Sequence, residues 1–311
     1  MQYFGEMLSL GVAVSWTTTA LASEVATRHL GVMVANVWRM MLAGACTALL
    51  CLATMGSGWP VYAGGETWMW LLLSGVVGYF FGDWCLFNSY LTIGSRYGQL
   101  FMTLAPMFAA LAAGVSIGQV LDWRSLLAMA VTLSGIFISI LGRGGSHGVS
   151  VQLPLKGILF GIGAGMGQGV GLVLSKIGLD SYEADVPAAL LPKVVNVLPF
   201  SANFIRCLAG LTCFALWMVV RGQGRRWVAA LDDRRGLAML GVAVVFGPFL
   251  GVGFSLMAVQ YTAAGIASTL MATTPIIILL PSWYFFHQRL TLKVVLGAVV
   301  SVVGVSLFFL L

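Results

Sequence analysis

The stretch GDWCLFNSYLTIGSRYGQLFMTLAP, residues 82–106, returns 169 residues later as GVGFSLMAVQYTAAGIASTLMATTP, residues 251–275. The correspondence continues without a gap to about residue 141. Identical residues recur along it, as in the pairs Gly82 and Gly251, Met102 and Met271, Pro106 and Pro275, and Gly135 and Gly304. Both copies are almost wholly apolar. Repeats of this kind are common in proteins built from membrane helices.

The composition indicates a membrane protein. Of 311 residues, 59% are hydrophobic and only 8% are charged, with a mean hydropathy of +0.97, whereas soluble domains carry about 25% charged residues. The net charge of +6 does not predict a nucleic-acid partner, because five of the sixteen Lys and Arg residues lie between Arg221 and Arg235. A basic loop beside a lipid bilayer explains them.

Apolar segments long enough to cross a bilayer predict the fold class, since a spanning helix needs about 20 such residues. We expect an all-α integral membrane protein with ten transmembrane helices in two five-helix repeats, residues 1–145 and 155–311. Because five is odd, the second repeat is inserted upside down relative to the first. The predicted spans are residues 4–22, 32–54, 68–92, 98–117, 125–142, 155–176, 198–220, 236–260, 265–286 and 292–311.

Several residues resemble those of the EamA domain of the drug/metabolite transporter superfamily. An arginine stands near the start of each second helix, Arg39 and Arg206, followed by Ala43 and Ala209, and each fourth helix contains a proline. The family's Gly-Glu-x-Leu pattern corresponds to Gly118-Gln119-Val120-Leu121 and His287-Gln288-Arg289-Leu290, with Gly135 and Gly304 downstream. Both family glutamates are glutamine here, which removes any carboxylate role at these positions.

The resemblance implies a secondary transporter of the inner (plasma) membrane, not an enzyme. It suggests an exporter of a small metabolite, such as an amino acid or a drug-like solute, with alternating access between the two inverted repeats. A sugar or nucleotide-sugar carrier of the same superfamily is the alternative within transport. A membrane enzyme or scaffold is the alternative outside it, but no catalytic constellation of side chains occurs.

The orientation of the chain has two conflicting predictions. Connections after odd-numbered spans carry eleven Lys and Arg residues and the others carry three, which places the odd connections in the cytoplasm and both termini outside. The family resemblance implies both termini inside.

Three charged residues lie well inside the predicted spans, away from their ends, and a charge costs about 2.5 to 3.5 kcal/mol at the helix centre. Asp83 stands near the middle of span three, and its repeat counterpart is Val252. It is either a protonatable group coupled to transport, a counter-ion for a cationic substrate, or a buried packing partner. Arg39 and Arg206 either have the same structural role in both halves or take part in anion binding or gating.

Polar side chains at helical spacing predict a weakly polar, aromatic-lined cavity between the halves, although hydrogen bonds between helices explain many such residues. Two rows of glycine along span six, from Gly157 to Gly169 and from Gly163 to Gly171, predict close helix packing. Three prolines are candidate hinges: Pro106, Pro248 and Pro275. The substrate-pathway candidates are Trp16, Thr19, Arg39, Asp83, Asn88, Gln99, Thr103, Gln168, Arg206, Ser255, Gln260 and Ser268.

Dispersed histidines and intramembrane cysteines predict neither a metal site nor a disulfide. No cofactor is expected, and proton coupling is an open option. The expected partners are a small-molecule substrate and the lipid bilayer, without nucleic acid, for a monomer or a homodimer.

Overall fold

The computed structural model describes residues 3–117, 123–143, 149–151, 153–261, 270–287 and 290–310. We call residues 3–143 the first half and residues 153–310 the second half. A two-stranded antiparallel hairpin, β1 (Leu141–Arg143) and β2 (Val149–Val151), joins them. This hairpin is a small departure from the expected all-helical chain.

The described residues of the first half form seven α-helices and a π-helix. The π-helix (Gly75–Asp83) lies between two α-helices, Gly65–Ser74 and Trp84–Ile93, so that residues 65–93 form one continuous helical rod. The helices are α1 (Phe4–Leu30), α2 (Val32–Met55), α3 (Gly65–Ser74), α4 (Trp84–Ile93), α5 (Ser95–Met102), α6 (Ala105–Ile117) and α7 (Trp123–Ile140).

The second half follows a similar plan. A second π-helix (Val245–Phe249) lies between two α-helices, Arg234–Val244 and Leu250–Tyr261, and a 3₁₀ turn (Ala230–Asp232) precedes the first of them. The helices are α8 (Leu155–Asp185), α9 (Leu191–Val194), α10 (Leu198–Val220), α11 (Gly224–Ala229), α12 (Arg234–Val244), α13 (Leu250–Tyr261), α14 (Thr274–Ile277), α15 (Leu279–Phe286) and α16 (Leu292–Leu310).

Five helical segments within the described ranges are long and apolar enough to cross a membrane, namely 32–55, 65–93, 95–115, 155–185 and 198–220. Shorter apolar helices cover 126–140, 274–286 and 292–307. The predicted ends of two spans were wrong. The first helix continues to Leu30 rather than residue 22, and α8 continues to Asp185 rather than residue 176. Polar residues near both ends find partners within the fold, which a count of apolar residues does not register.

The halves pack crosswise, because the first helix of each half lies against the third span of the other. Helix α1 packs along α12 and α13, while α8 packs along α3, the first π-helix and α4. The ends of these contacts are held by matching polar pairs. Asp185 at the end of α8 accepts hydrogen bonds from the Gly64 amide (2.8 Å), just before α3, and from the Thr67 hydroxyl (2.7 Å), in the first turn of α3. Likewise, His29 near the end of α1 lies 3.0 Å from Asp233 at the start of α12.

The fifth helices of the two halves, α7 and α16, pack against each other. The hydroxyl of Ser301 contacts the carbonyl of Thr132 at 3.4 Å, and these two residues are 169 apart in sequence. Gly135 lies against Ser301, and its counterpart Gly304 lies against Thr132, with no room for a Cβ at either glycine. Equivalent residues therefore meet each other, as they do at a two-fold axis.

The two glycine rows of α8 face different helices. Gly161 meets the ring of Phe101, whereas Gly167 and Gly171 meet Gly82 and Gly78 of the first π-helix. A methyl group on Gly167 would come within 2.6 Å of the Gly82 Cα. The prediction of close packing along both rows is confirmed, and it brings α8 of the second half against the centre of the first.

Candidate functional site

A buried ion pair lies at the end of the first π-helix. Asp83, whose side chain is 2% exposed, accepts a hydrogen bond from Arg39 Nη1 of α2 at 2.7 Å. The guanidinium also lies 5.3 Å from the centre of the Phe87 ring. The sequence placed both charged residues at membrane depth, and the structure pairs them. Each charge offsets part of the cost of burying the other.

The second half contributes to this ion pair through Gln168. Its Nε2 donates to the other carboxylate oxygen of Asp83 at 3.0 Å and lies 3.3 Å from the Gly78 carbonyl. This reach is possible because Gly167 and Gly82 bring the two backbones together. Asp83 is thus bound from α2 of its own half and from α8 of the other.

Arg206 of α10 completes the cluster beside Gly78 of the first π-helix. Its guanidinium lies 4.4 Å from the centre of the Tyr79 ring, a cation–π contact. Tyr79 donates its hydroxyl hydrogen bond to Asn203 Oδ1, one turn before Arg206 on α10. Arg206 Nε and the buried Asn203 Nδ2 have no hydrogen-bond partner among the described residues. We call Arg39, Tyr79, Asp83, Gln168, Asn203 and Arg206 the central polar cluster.

Sequence reasoning missed Tyr79 and Asn203. Tyr79 stands among aromatic residues that pack in the core, and its pairing depends on α10. Asn203 precedes Arg206 by three residues, as Asn36 precedes Arg39. That shared spacing was a usable signal, because residues three apart lie on one face of a helix.

The equivalent place in the second half carries no charge. Pro248 and Val252 stand where the first half has Tyr79 and Asp83. Proline has no N–H, so carbonyls one turn earlier lose a partner. The Ser15 hydroxyl donates to the Phe246 carbonyl at 2.5 Å, and Thr19 lies 3.4 Å from the Ala243 carbonyl. Hydroxyls of α1 therefore hydrogen-bond the irregular backbone of the second π-helix, as neighbouring helices do in membranes.

Trp16 and Thr19 lie at this second π-helix. Thr19 packs on Gly247, and Trp16 packs on Gly251. In the alignment that places Ser23 on Ser175, Trp16 corresponds to Gln168. The same position of the first helix of each half therefore reaches the third span of the other half, once with an indole and once with an amide.

Three further pathway candidates, Asn88, Gln99 and Thr103, form hydrogen bonds with residues outside the central polar cluster. Asn88 donates to the Trp84 carbonyl at 2.7 Å, and Thr103 donates to the Leu100 carbonyl at 2.6 Å. Gln99 donates to the Tyr90 hydroxyl at 2.8 Å. Ser255 is partly buried on α13. The Gln260 side chain and the whole of Ser268 lie outside the described residues.

The comparisons with known proteins follow the same division into halves. The sequence matches the EamA-like transporter family over residues 3–141 and again over residues 155–310. The chain belongs to the EamA-like transporter family. The resemblance seen in the sequence is thus confirmed, and the protein is a multi-pass membrane transporter of the drug/metabolite transporter superfamily, not an enzyme.

A solved crystal structure shares the fold of this EamA-like transporter. It has 17% sequence identity and a TM-score of 0.58, and the match covers 99% of this chain and 97% of that chain. At this identity the likeness concerns the fold alone. None of the curated proteins matches the sequence.

The three prolines of the EamA-like chain mark irregular backbone. The helix containing Pro106 is interrupted between Met102 and Ala105, and the helix containing Pro275 begins after a turn at residues 272–273. Pro248 lies inside the second π-helix. Because proline cannot donate to a carbonyl one turn earlier, these breaks have a chemical cause. Movement about them stays a prediction.

A cavity of about 210 Å³ lies between α2, the first π-helix, α4 and α10. It is lined by Met33, Phe80, Phe81, Trp84 and Trp217, and none of the pathway candidates that the structure describes lines it. The aromatic lining was expected, but this space is apolar. Among the described residues, no group of His, Cys, Asp and Glu is placed to hold a metal ion.

A second buried carboxylate, Glu24, was also missed by sequence reasoning. Its side chain is fully buried, 2.7 Å from Arg28, and accepts a hydrogen bond from the Ser95 amide at 2.6 Å. Ser95 begins α5, and the positive end of a helix favours a carboxylate. The predicted first span ended at residue 22, so Glu24 was read as part of a connection.

Proposed function

We propose that this protein is a secondary exporter of a small metabolite, such as an amino acid or a drug-like solute, in the inner (plasma) membrane. Ten membrane crossings in two inverted units, residues 1–145 and 155–311, would alternate access to the substrate. The observation that supports this proposal most directly is the crosswise packing of each first helix on the third span of the other half.

The two polar contacts at the ends of this packing are suited to act as gates. In an inverted repeat, the contact of Asp185 with Thr67 and the contact of His29 with Asp233 face opposite sides of the membrane. Both contacts are formed in this structure. Opening one while the other stays closed gives access from one side at a time, which is the requirement of alternating access.

The central polar cluster lies where the halves meet, since Gln168 binds the carboxylate of Asp83 across the boundary. Ionisable residues within transporter helices commonly mark substrate or proton pathways. A proton on Asp83 would weaken its pairing with Arg39 and with it the contact between the halves. This supports proton coupling as part of the proposal.

A metabolite screen in everted vesicles, with and without a proton gradient, tests the proposed transport. We expect gradient-dependent flux of at least one metabolite in the wild type, and a loss of about tenfold or more in Asp83→Asn, because the neutral amide cannot take up and release a proton. The matched control is Asp180→Asn, an exposed carboxylate on α8. Absence of gradient-dependent flux for every metabolite would refute the transport proposal, and an unchanged pH profile in Asp83→Asn would remove Asp83 from coupling.

A further inference from the structure

We propose that Arg206 and Asn203 bind a carboxylate of the transported substrate, so that the substrate is a small organic anion or a zwitterion with a carboxylate. This inference rests on the transport function proposed above and narrows its substrate class. It leaves the direction and the driving force of transport open to separate measurement.

The charges of the central polar cluster do not balance. It contains two guanidinium groups, Arg39 and Arg206, and one carboxylate, Asp83. Arg39 holds one oxygen of Asp83 at 2.7 Å, and Gln168 holds the other at 3.0 Å. Arg206 forms no ion pair with any described residue. One positive charge is therefore left on α10 for an anion to neutralise.

The repeat shows which acid is missing. Arg39 of span two pairs with Asp83 of span three in the first half. In the second half the equivalent arginine is Arg206, but the residue equivalent to Asp83 is Val252. The chain thus retains the arginine and lacks its carboxylate. A ligand that brings its own carboxylate supplies the charge that the second half does not.

The unused hydrogen-bonding groups are donors. Arg206 Nε and Asn203 Nδ2 have no partner among the described residues, and Asn203 is only 6% exposed. The side-chain oxygen of Asn203 already accepts a hydrogen bond from Tyr79. The N–H groups of its side-chain amide remain available to donate. A carboxylate has acceptors alone and matches the planar guanidinium fork. A cationic group has the wrong charge and brings further donors.

Tyr79 fixes the geometry of this site. Its ring stacks on the Arg206 guanidinium at 4.4 Å, and its hydroxyl is bonded to Asn203, so one side chain orients both ligand-binding groups. A methyl group on Gly78 would lie 3.2 Å from Arg206 Nη2, so this glycine leaves the guanidinium space beside the π-helix. A preoriented fork loses less conformational entropy on binding than a free side chain.

The test measures binding of matched compounds to the purified full chain in detergent. For each common amino-acid side chain, three probes are compared: the L-amino acid, its carboxamide, and the acid without the amino group. We expect carboxylate probes of at least one side chain to bind about tenfold or more tightly than the carboxamide, because buried donors reject a ligand that leaves them unpaired. Thermal shift and titration report the binding.

Substitutions test whether Arg206 and Asn203 of α10 bind the carboxylate. Arg206→Gln is expected to weaken carboxylate binding by about tenfold or more, and Arg206→Lys by less, because the charge remains without the fork. Arg225→Gln, an exposed arginine of α11, is the matched control and leaves binding unchanged. Asn203→Asp places a carboxylate beside Arg206, so it is expected to abolish binding and to raise the melting temperature of the ligand-free protein. A purely structural role for Arg206 predicts no loss of ligand binding in that folded variant.

Three results would overturn the inference: equal binding of carboxamides and acids, unchanged carboxylate binding in Arg206→Gln or Asn203→Asp, or stabilisation by phosphatidylglycerol micelles with none by any carboxylate probe. The last result would assign the positive charge to a lipid headgroup. Failure of the transport proposal can be distinguished from failure of the proposed binding site. Carboxylates that bind through Arg206 without any gradient-dependent flux would refute transport and keep the site, whereas equal flux of acids and carboxamides would keep transport and refute the site.

Discussion

The contribution of Asp83 to stability depends on the side chains that it binds. An isolated carboxylate in a membrane helix is costly, but here it binds Arg39 and Gln168 and is almost completely buried. Removing one charge of such a pair leaves the other buried and uncompensated, which costs more than the pair itself contributes. The cost of a substitution therefore depends on whether the partner charge is still present.

A double-mutant cycle on Arg39 and Asp83 measures this dependence. We expect Asp83→Asn and Arg39→Gln each to lower the free energy of unfolding by about 3 kcal/mol, and the double variant to lose much less than the sum. Thermal or denaturant unfolding in detergent provides the values. The exposed pair Lys176 and Asp180, with N and O 3.5 Å apart, is the control, with single losses of about 0.5 kcal/mol or less. Additive losses at Arg39 and Asp83 would contradict the buried pairing.

Asp233 predicts a pH dependence of stability outside the membrane helices. The Gly236 amide, followed by His29, lowers the pKa of Asp233 below its usual value of 3.8. A carboxyl with a lowered pKa stabilises the fold above the unfolded value and loses this contribution as the pH falls through the folded value. We expect Asp233→Asn to melt below the wild type at about pH 6 and the difference to shrink as the pH falls below the unfolded value of 3.8. Asp232→Asn is the neighbouring control, and a difference that grows on acidification would contradict the prediction.

At the scale of elements, the glycines of α8 allow this helix to pack closely against its neighbours. One row lies on the first π-helix and the other on α5 and α6, so α8 fits between two neighbours at close range. This closeness lets Gln168 reach Asp83. The π-helices also affect this contact, because their wider turns change which side chains face the neighbouring helix. Such turns are frequent at functional sites.

Gly167→Ala tests the close approach. Its methyl group would lie 2.6 Å from the Cα of Gly82, a backbone atom that cannot rotate away. We expect a loss of about 1–3 kcal/mol in unfolding free energy from overpacking, together with weaker transport as Gln168 moves from Asp83. Gly241→Ala on α12, where no atom lies within 4 Å of the added methyl, is the control and gains about 0.5–1 kcal/mol from helix propensity. Equal effects at both positions would contradict tight packing at α8.

At the scale of the whole molecule, the two halves are related by contacts between equivalent residues and differ in charge. Thr132 meets Ser301 at the fifth helices, and each first helix crosses to the other half. The carboxylate of Asp83 has no charged counterpart in the second half, because Val252 stands at the equivalent position. Symmetric packing thus supports two gates of similar construction, while the polar site lies on one side of the axis.

Cysteine cross-linking of co-expressed halves tests the symmetric contact. The five native cysteines are first replaced, and the two halves carry Thr132→Cys on residues 1–145 and Ser301→Cys on residues 155–311. We expect these two cysteines to form a disulfide, because α7 and α16 are in direct contact. A non-reducing gel then shows one band near full length. Leu133→Cys, on an exposed face of α7, is the control and is expected to remain uncrosslinked. Equal cross-linking of both pairs would contradict the packing.

Much of the fold could be predicted because its signals are local. Long apolar runs predict helices, and the 169-residue offset pairs Thr132 with Ser301 in sequence before they meet in space. The candidate site was predictable in part: Arg39, Asp83, Gln168 and Arg206 were named because polar residues in apolar segments stand out. Tyr79 and Glu24 were not, since an aromatic residue fits any core and a carboxylate near a helix end fits any connection.

The sequence by itself determined that this protein lies in a membrane and is built from two similar halves, because burial in lipid and helical repetition depend on residues close together in the chain. Only the tertiary structure decided that the halves cross, that Asp83 binds Arg39 and Gln168, and that Arg206 is left with Tyr79 and Asn203 beside it. The physical reason is that a buried polar group must find a partner, but its own segment does not specify which distant helix supplies one.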